Sequence, residues 1–497
     1  MNLIFRLAAL FLVGLARLWA DNQRPAGDRL IDLNVIALDS HGQPVTGLDS
    51  DDFQVTDAGK AQKIAFFRHN DSKLWQEPRR SLKEFSNRRS ANIPHATVIL
   101  FDLMNERFGT RGSAANQLVH DLETMESADY LYLYFLTLDG GLYAAHGLPE
   151  SAASVESAGI PWTRQIKTLM DDSLRKVMRV RPAEIDVAVR VQLTYAALER
   201  LAVEVSRVPG RKNIVWITDG VPIELGPRRS DTGDFVDFTP LLQQLSEAMD
   251  QSGMAIYPVR QVMLGSPDSI GAGPGGGVGS LETLDEFAGL TGGRPDSGKD
   301  IGAVVRQAMN DMRTSYQIGY YAASKNWDSK FHKLRVTCRR KGVRLQAKTG
   351  YYAWFEPVGA RARHALETVA ASPFDTAEIG LWGSLEVDPG SPLSARIDAH
   401  IDANDVALAK DGDGYKCLLR LAAVTSTDDR PLSISEFISV DLHYSTEDAN
   451  RVMKEGIAVS EKVAIGEGIK QVRLVVFDQG SNSVGSLTLP TIPRPQP

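Results

Sequence analysis

Cysteine is almost absent from this chain: 497 residues contain two, Cys338 and Cys417, far apart. That excludes a disulfide-stapled scaffold and a CxxC redox or metal site. Either one bridge between them or two buried thiols remains open. An excess of positive charge is also lacking. Lys and Arg number 55 against 62 Asp and Glu, a net charge of −7, so there is no basic footprint for nucleic acid. The nine histidines are scattered with no HExxH, which removes the usual zinc-protease signature. No GxSxG is present, and no close carboxylate pair suggests glycoside chemistry. Beyond the N-terminus no apolar run reaches spanning length, so no integral membrane span is expected. No fixed-period repeat occurs.

What is present is ordinary globular material. With 43% hydrophobic and 24% charged residues the chain can bury sizeable cores, and its length suggests about three domains. The opening "MNLIFRLAALFLVGLARLWADNQ" has one early cation, Arg6, an apolar stretch from Leu7 to Ala16, and Ala20 as a cleavage residue. This reads as a secretory signal over 1–20. Arg17, Leu18 and Trp19 keep an uncleaved anchor open as the alternative. The expected location is therefore outside the cytoplasm: periplasm, cell envelope or secreted.

Residues 21–69 read as a small β domain. Ile31, Leu33 and Val35 alternate, and two further strands meet at Asp57-Ala58-Gly59. The stretch 70–91 is polar and basic, a linker or extended arm carrying Arg79, Arg80, Lys83, Arg88 and Arg89. From 92 to 354 strands and helices alternate. Apolar runs predict strands at 96–103, 130–137, 213–218, 254–260 and 315–322. Helices are predicted near 111–126, 185–206, 239–252, 281–289 and 300–312. Val191, Tyr195, Leu198, Ala202 and Val205 form a core-facing helical stripe. Repeated β-α units with continuous apolar strands predict a largely parallel sheet with helices on both faces. Ligands in such folds sit beyond the C-terminal strand ends, where Asp102 ("VILFD") and Asp219 ("VWITDG") both fall. Period-two strands follow from Tyr316 to Ala347. A helical linker is expected at 355–378, an Ig-like β-sandwich at 379–490, and a disordered tail at 491–497.

Four stretches carry a family resemblance: "VTGLDSDDFQVTDAGKAQKI", "VPGRKNIVWITDGVP", "SYQIGYY" and "FHKLRVTCRRKGVRLQAKTGYYA". In their order and spacing, from about residue 30 to 353, the chain resembles the bacterial, acidobacterial-type von Willebrand factor type A (VWA)-related family of exported proteins. The resemblance implies an α/β fold with a central VWA-like, doubly wound, mostly parallel sheet. A small N-terminal β unit and a C-terminal β-sandwich would flank it. It also implies a metal-ion-dependent adhesion site: DxSxS after the first strand, a Thr from a second loop, and an Asp in a DG turn. Asp102 matches the first acid, and Asp219 before Gly220 the last. Met104 and Glu106 stand where both Ser ligands belong, and no Thr is clearly placed; Thr194 lies within a helix.

The candidate metal set is therefore Asp102, Asn105, Glu106 and Asp219, and the one cofactor it could take is weakly held Mg²⁺, or Ca²⁺ or Mn²⁺. The competing reading is a vestigial site that caps strand ends without metal. Asp102, Gly109, Asp219, Gly220 and Pro222 mark the binding face. The function expected is an exported, non-enzymatic adhesion or assembly protein that binds a protein partner. The alternatives are a structural envelope protein with a dead site, or a metal-dependent hydrolase using metal-activated water. Three motifs read as decoys. "GAGPGG" (271–276) sits too far past its strand for a dinucleotide loop. "GRPDSGK" lacks the hydroxyl of a P-loop, Asp300 reading instead as a helix N-cap. "KDGDGYK" reads as a hairpin turn.

Overall fold

The computed structural model describes residues 29–491 outside 72–83, 88–95, 106–107, 126–129, 149–161, 178–186, 206–210, 222–223, 226–235, 261–277, 296–299, 312–313, 323–327, 354–359, 372–374, 377, 389–392, 428–429 and 436. The expected signal, most of the 70–91 arm and the GAGPGG stretch lie outside the described residues.

A strand near the start is closed by one much later. Arg29–Leu38 pairs antiparallel with Thr314–Ala322 over seven residues, from Arg29↔Ala322 to Val35↔Tyr316. The sheet runs Arg344–Gln346, Arg29–Leu38, Thr314–Ala322, Phe66–Asp71. Against it packs a second sheet, Gly350–Tyr352, Phe331–Cys338, Phe53–Asp57, Lys60–Gln62. Ile31, Leu33, Val35, Phe53, Val55, Tyr316, Ile318 and Tyr320 fill the space between them. The alternation seen in the sequence thus buries one face of each strand. The turn after Phe53–Asp57 has two residues, since Asp57 pairs with Lys60. Ala58 and Gly59 both take positive φ (46° and 79°), the geometry that matches strand twist in a tight hairpin.

Between the halves of this sandwich lies the α/β segment, where the fold class needs correction. The expectation was a central, doubly wound, mostly parallel VWA-like sheet organising the molecule. Among the described residues the chain is instead strand-rich, 43% strand against 31% helix, and several of its sheets are antiparallel. Among the described residues only one sheet is mixed: Met254–Val259, Lys212–Ile217, Ala96–Asp102, Leu131–Leu136, Leu142–His146. The reason lies in the connections. Leu142–His146 returns from Leu131–Leu136 through a turn at Thr137–Gly141, with Gly140 at φ 81°. A parallel neighbour would need a crossover of a dozen residues or more. Every strand added before and after the segment also pairs antiparallel. The sequence reading passed over Leu142–His146, and over the helix Ile166–Val177 as well.

Elements predicted inside the segment fall within a few residues of those observed, among them the helices Phe108–Glu123, Val187–Val205, Thr239–Gln251, Val278–Thr291 and Ile301–Asp311. Asp300 accepts from the Ala303 N–H (2.6 Å), the N-cap contact expected of it. Val98, Leu100, Ile214 and Trp216 face one helical layer, and Ile99, Phe101, Val215 and Ile217 face the other.

The C-terminal region is a second sandwich with its own core. Its first sheet is Ile457–Ala464, Ser394–Ile401, Leu381–Val387 and the short Phe85–Ser86. The arm therefore supplies an edge strand, pinned by Asn87, whose Nδ2 donates to the Thr376 and Ile379 carbonyls. The other sheet centres on the long strand Gly414–Thr427. It begins at the hairpin Asp411↔Gly414, as "KDGDGYK" predicted. The helix Thr446–Glu455, capped by Ser445, was missed. Arg68 joins the two sandwiches, donating to the Glu378 and Asp405 carbonyls (3.3 and 3.0 Å) and to Gln317 Oε1. Both thiols are free, Cys417 buried and Cys338 partly so. No helix among the described residues is long and apolar enough to cross a membrane.

One half-buried acid of the first sandwich gives a pH signature. Asp32 Oδ2 accepts from Gln317 Nε2 (2.8 Å), while Oδ1 is shut from solvent without a partner. Burial pushes this carboxyl up to about 6. The folded state therefore holds the proton more tightly than the unfolded chain. The stabilisation is fully present below the unfolded value of 3.8 and is lost as pH rises through about 6. Asp32→Asn should remove this slope, so that relative to the variant the parent loses about 1–3 kcal/mol between acid and neutral pH. Urea unfolding of both proteins at the two pH values measures it; an equal gap at both would contradict the assignment.

Candidate functional site

The strand Ala96–Asp102 is buried at every position, apolar except for Thr97 and Asp102, and lies between Lys212–Ile217 and Leu131–Leu136. Such a strand must end in polar chemistry, because its last backbone groups lose their ladder partners. Asp102 supplies that chemistry and is 0% exposed. Its Oδ1 accepts from the backbone N–H groups of Met104 (3.0 Å) and Asn105 (2.9 Å), folding the chain into a turn at the strand end. Its Oδ2 accepts from Asn105 Nδ2 (2.8 Å), Trp216 Nε1 (3.1 Å) and Thr218 Oγ1 (2.8 Å). Five donors, from the turn after its own strand, from the neighbouring strand Lys212–Ile217 and from the loop that follows that strand, thus converge on one carboxylate. Burial pushes its carboxyl up, and the hydrogen bonds from Asn105, Thr218 and Trp216 pull against that.

The same contacts organise the second loop. Thr218 Oγ1 donates to Asp102 and accepts from the Gly220 N–H (2.9 Å), closing the turn that follows Lys212–Ile217. Gly220 takes φ 81°, a left-handed conformation strained for a residue with a side chain. Asp219, half-buried, stands between them. A helix completes the group: Thr194, buried in Val187–Val205, accepts from Asn105 Nδ2 (2.8 Å) and donates to the Arg190 carbonyl (2.8 Å). The Thr set aside in the sequence as buried in a helix is therefore tied to Asn105.

Of the sequence-derived candidates, Asp102 and Asn105 are in direct contact. Asp219 and Gly220 follow Thr218 on the adjoining loop, and Gly109 lies in the first turn of Phe108–Glu123. Glu106 and Pro222 lie outside the described residues. Sequence reasoning missed Trp216, Thr218 and the role of Thr194. The available signal was positional. Trp216 and Thr218 alternate with Ile217, so they share the sheet face of Leu100 and Asp102.

Asp102, with its donors placed as they are, offers a divalent cation no ligand; Glu106 of the candidate set lies outside the described residues. Mg²⁺ wants about six oxygen ligands. Both oxygens of Asp102 already face N–H and O–H donors, whose positive ends would repel a cation. Asn105 Oδ1 is buried without a partner and is a single neutral oxygen. Among the described residues no three His, Cys, Asp or Glu side chains gather in metal-binding proximity. What the arrangement does well is lock three chain segments through one charge-assisted network.

Comparison with known proteins adds no assignment: no family model matches the chain, and no curated protein matches it.

If Asp102 holds the turn and both loops, removing it strands buried donors on Trp216, Thr218 and two backbone amides. Asp102→Ala should cost about 3–5 kcal/mol in urea unfolding. Asp102→Asn should cost nearly as much, because an amide N–H2 would confront the donors now on Oδ2. Trp216→Phe, losing one bond of the five, should cost about 1–2 kcal/mol. A mild effect of Asp102→Asn would show that the carboxylate charge is not what the donors require.

Proposed function

We propose that this chain is an exported, non-enzymatic protein that binds a protein partner through the loops at the end of the mixed sheet. One observation carries this reading: the single acid best placed for chemistry, Asp102, is completely engaged in holding those loops. Hydrolysis by metal-activated water needs a carboxylate free to ligate or to take a proton, and here that carboxylate is turned inward onto five donors. Loop residues tied down at Asp102 suit recognition, since their ordering cost is met in folding rather than on binding. Asp219 and Gly220, with Gly109 on the next helix, belong to the binding face. Val189, 45% exposed, lies in the first turn of Val187–Val205, the helix that carries Thr194. Export rests on the N-terminal pattern of Arg6, Leu7–Ala16 and Ala20.

A photo-cross-linking side chain placed at Asp219 in the full chain, in the cells that produce it, tests this directly. The expected result is a covalent adduct with a second protein, undiminished by EDTA. The same probe at Ala61, on the exposed strand Lys60–Gln62 of the first sandwich, should give none. Loss of the adduct with EDTA would overturn the metal-free reading, and no adduct at Asp219 would overturn the binding face.

A further inference from the structure

In the second sandwich one inward position holds the wrong kind of residue for a core. The edge strand Ile457–Ala464 presents Ile457, Val459, Glu461 and Val463 to the interior by its period-two alternation, with Ser460 and Lys462 outward. Glu461 stands in register with the fully buried Ile397 of the neighbouring strand. It has no hydrogen bond or ion pair among the described residues. Partial burial pushes its carboxyl up.

The opposite sheet makes room for it. Along Gly414–Thr427 the inward row runs Leu419, Leu421, Ala423, Thr425, so the side chains shrink towards Glu461's level. The result is a cavity of about 390 Å³ between the sheets. Leu421, Ala423, Ile438, Val463 and Leu474 form its apolar wall; Glu461, Thr425, Ser433 and Ser435 are its polar groups. Cores are close-packed to roughly three-quarters density. This space instead opens to solvent past the exposed Ser433, Ser435 and Ile438, a cleft with a carboxylate facing it. Ile434 and Ile438, 42% and 45% exposed, stand on the strands bordering it. Apolar lining with a few polar groups and a volume of a few hundred Å³ is the pattern of small-molecule sites.

We propose that this cavity binds a small amphipathic cation: an apolar body against Leu421, Ala423 and Ile438, with an ammonium or amidinium head paired to Glu461. The carboxylate sets the sign. An anionic ligand would meet repulsion, and a neutral one would leave the charge without a partner in a partly desolvated place. The hydroxyls of Thr425 and Ser433 give the head further acceptors. This site is separate from the loops around Asp102 and does not depend on the function proposed for them.

Calorimetric titration of the full chain with hexylammonium, hexanol and hexanoate tests the proposal, because the three share a body and differ in the head. Hexylammonium should saturate at one site and bind about ten-fold more tightly than hexanol, the worth of one charge-assisted contact in a half-exposed setting. Hexanoate should bind more weakly than either. Glu461→Gln, a conservative change at a half-exposed position, should bring hexylammonium down to the level of hexanol. Ala423→Leu should reduce binding of both by filling the wall, with cooperative urea unfolding as the check on its fold. Should Ala423→Leu not fold, Ile438→Ser tests the same wall from the exposed strand. Equal binding of hexanoate and hexylammonium, a cation preference that survives Glu461→Gln, or no saturation with any probe would each overturn the proposal.

Discussion

The pairing of Arg29–Leu38 with Thr314–Ala322 is the constraint on which the rest of the molecule depends. It joins residues nearly three hundred positions apart, and closing so long a loop costs conformational entropy before any contact forms. The segment between them must be compact in itself to lower that cost. It is: the mixed sheet carries helices on both faces and two apolar layers of its own. Once its ends are brought together, the first sandwich can assemble from strands on either side. The polar joints then follow. Arg294 forks onto Asp311 (2.6 and 3.0 Å) just before the returning strand, and Tyr257 donates to the same acid. Gln346 of the sandwich donates to Tyr257 and to the Gly292 carbonyl. These buried and partly buried bonds tie the mixed sheet to the first sandwich.

What was legible in the sequence was local. A fully buried strand such as Ala96–Asp102 or Lys212–Ile217 must be apolar along its length, and so announces itself. A helix such as Val187–Val205 shows its stripe for the same reason. Partners were not legible, because hydrogen-bonded register leaves no mark on either strand alone. The period-two pattern from Tyr316 marks a strand, and Tyr316 and Tyr320 on its inward side are core. Nothing in that alternation says that they face Phe53 and Val55. The weight given to the parallel strands failed for a related reason. Strands in hairpins, such as Leu142–His146, are short and half-buried, so their pattern is weak, yet together they outnumber the rest.

The site shows the same division. Asp102 was found because an acid at the end of an apolar run is visible in one dimension. Its partners were not, since Trp216 and Thr218 reach it only because two strands lie side by side at the register Leu100↔Trp216. The sequence shows which residues carry charge. It does not show whether a carboxylate meets donors or meets nothing, and that distinction decides function.

Asp102 and Glu461 mark the two ends of that distinction. A carboxylate recovers what it loses on leaving water from its neighbours, and the more fully it is buried the more it needs them. Asp102 recovers it entirely from the protein: backbone amides, an amide side chain, an indole and a hydroxyl, all within 3.1 Å. Such a group is complete, and any ligand would have to break bonds to reach it. Glu461 sits on an inward strand position with a cavity before it and no partner beside it. A charge placed there is partly drawn out of water, and a cation from outside would complete the pair. By this reasoning the acid that the sequence made conspicuous belongs to the scaffold. The one hidden among apolar neighbours, in the alternation Ile457, Val459, Glu461, Val463, is the one left open to chemistry.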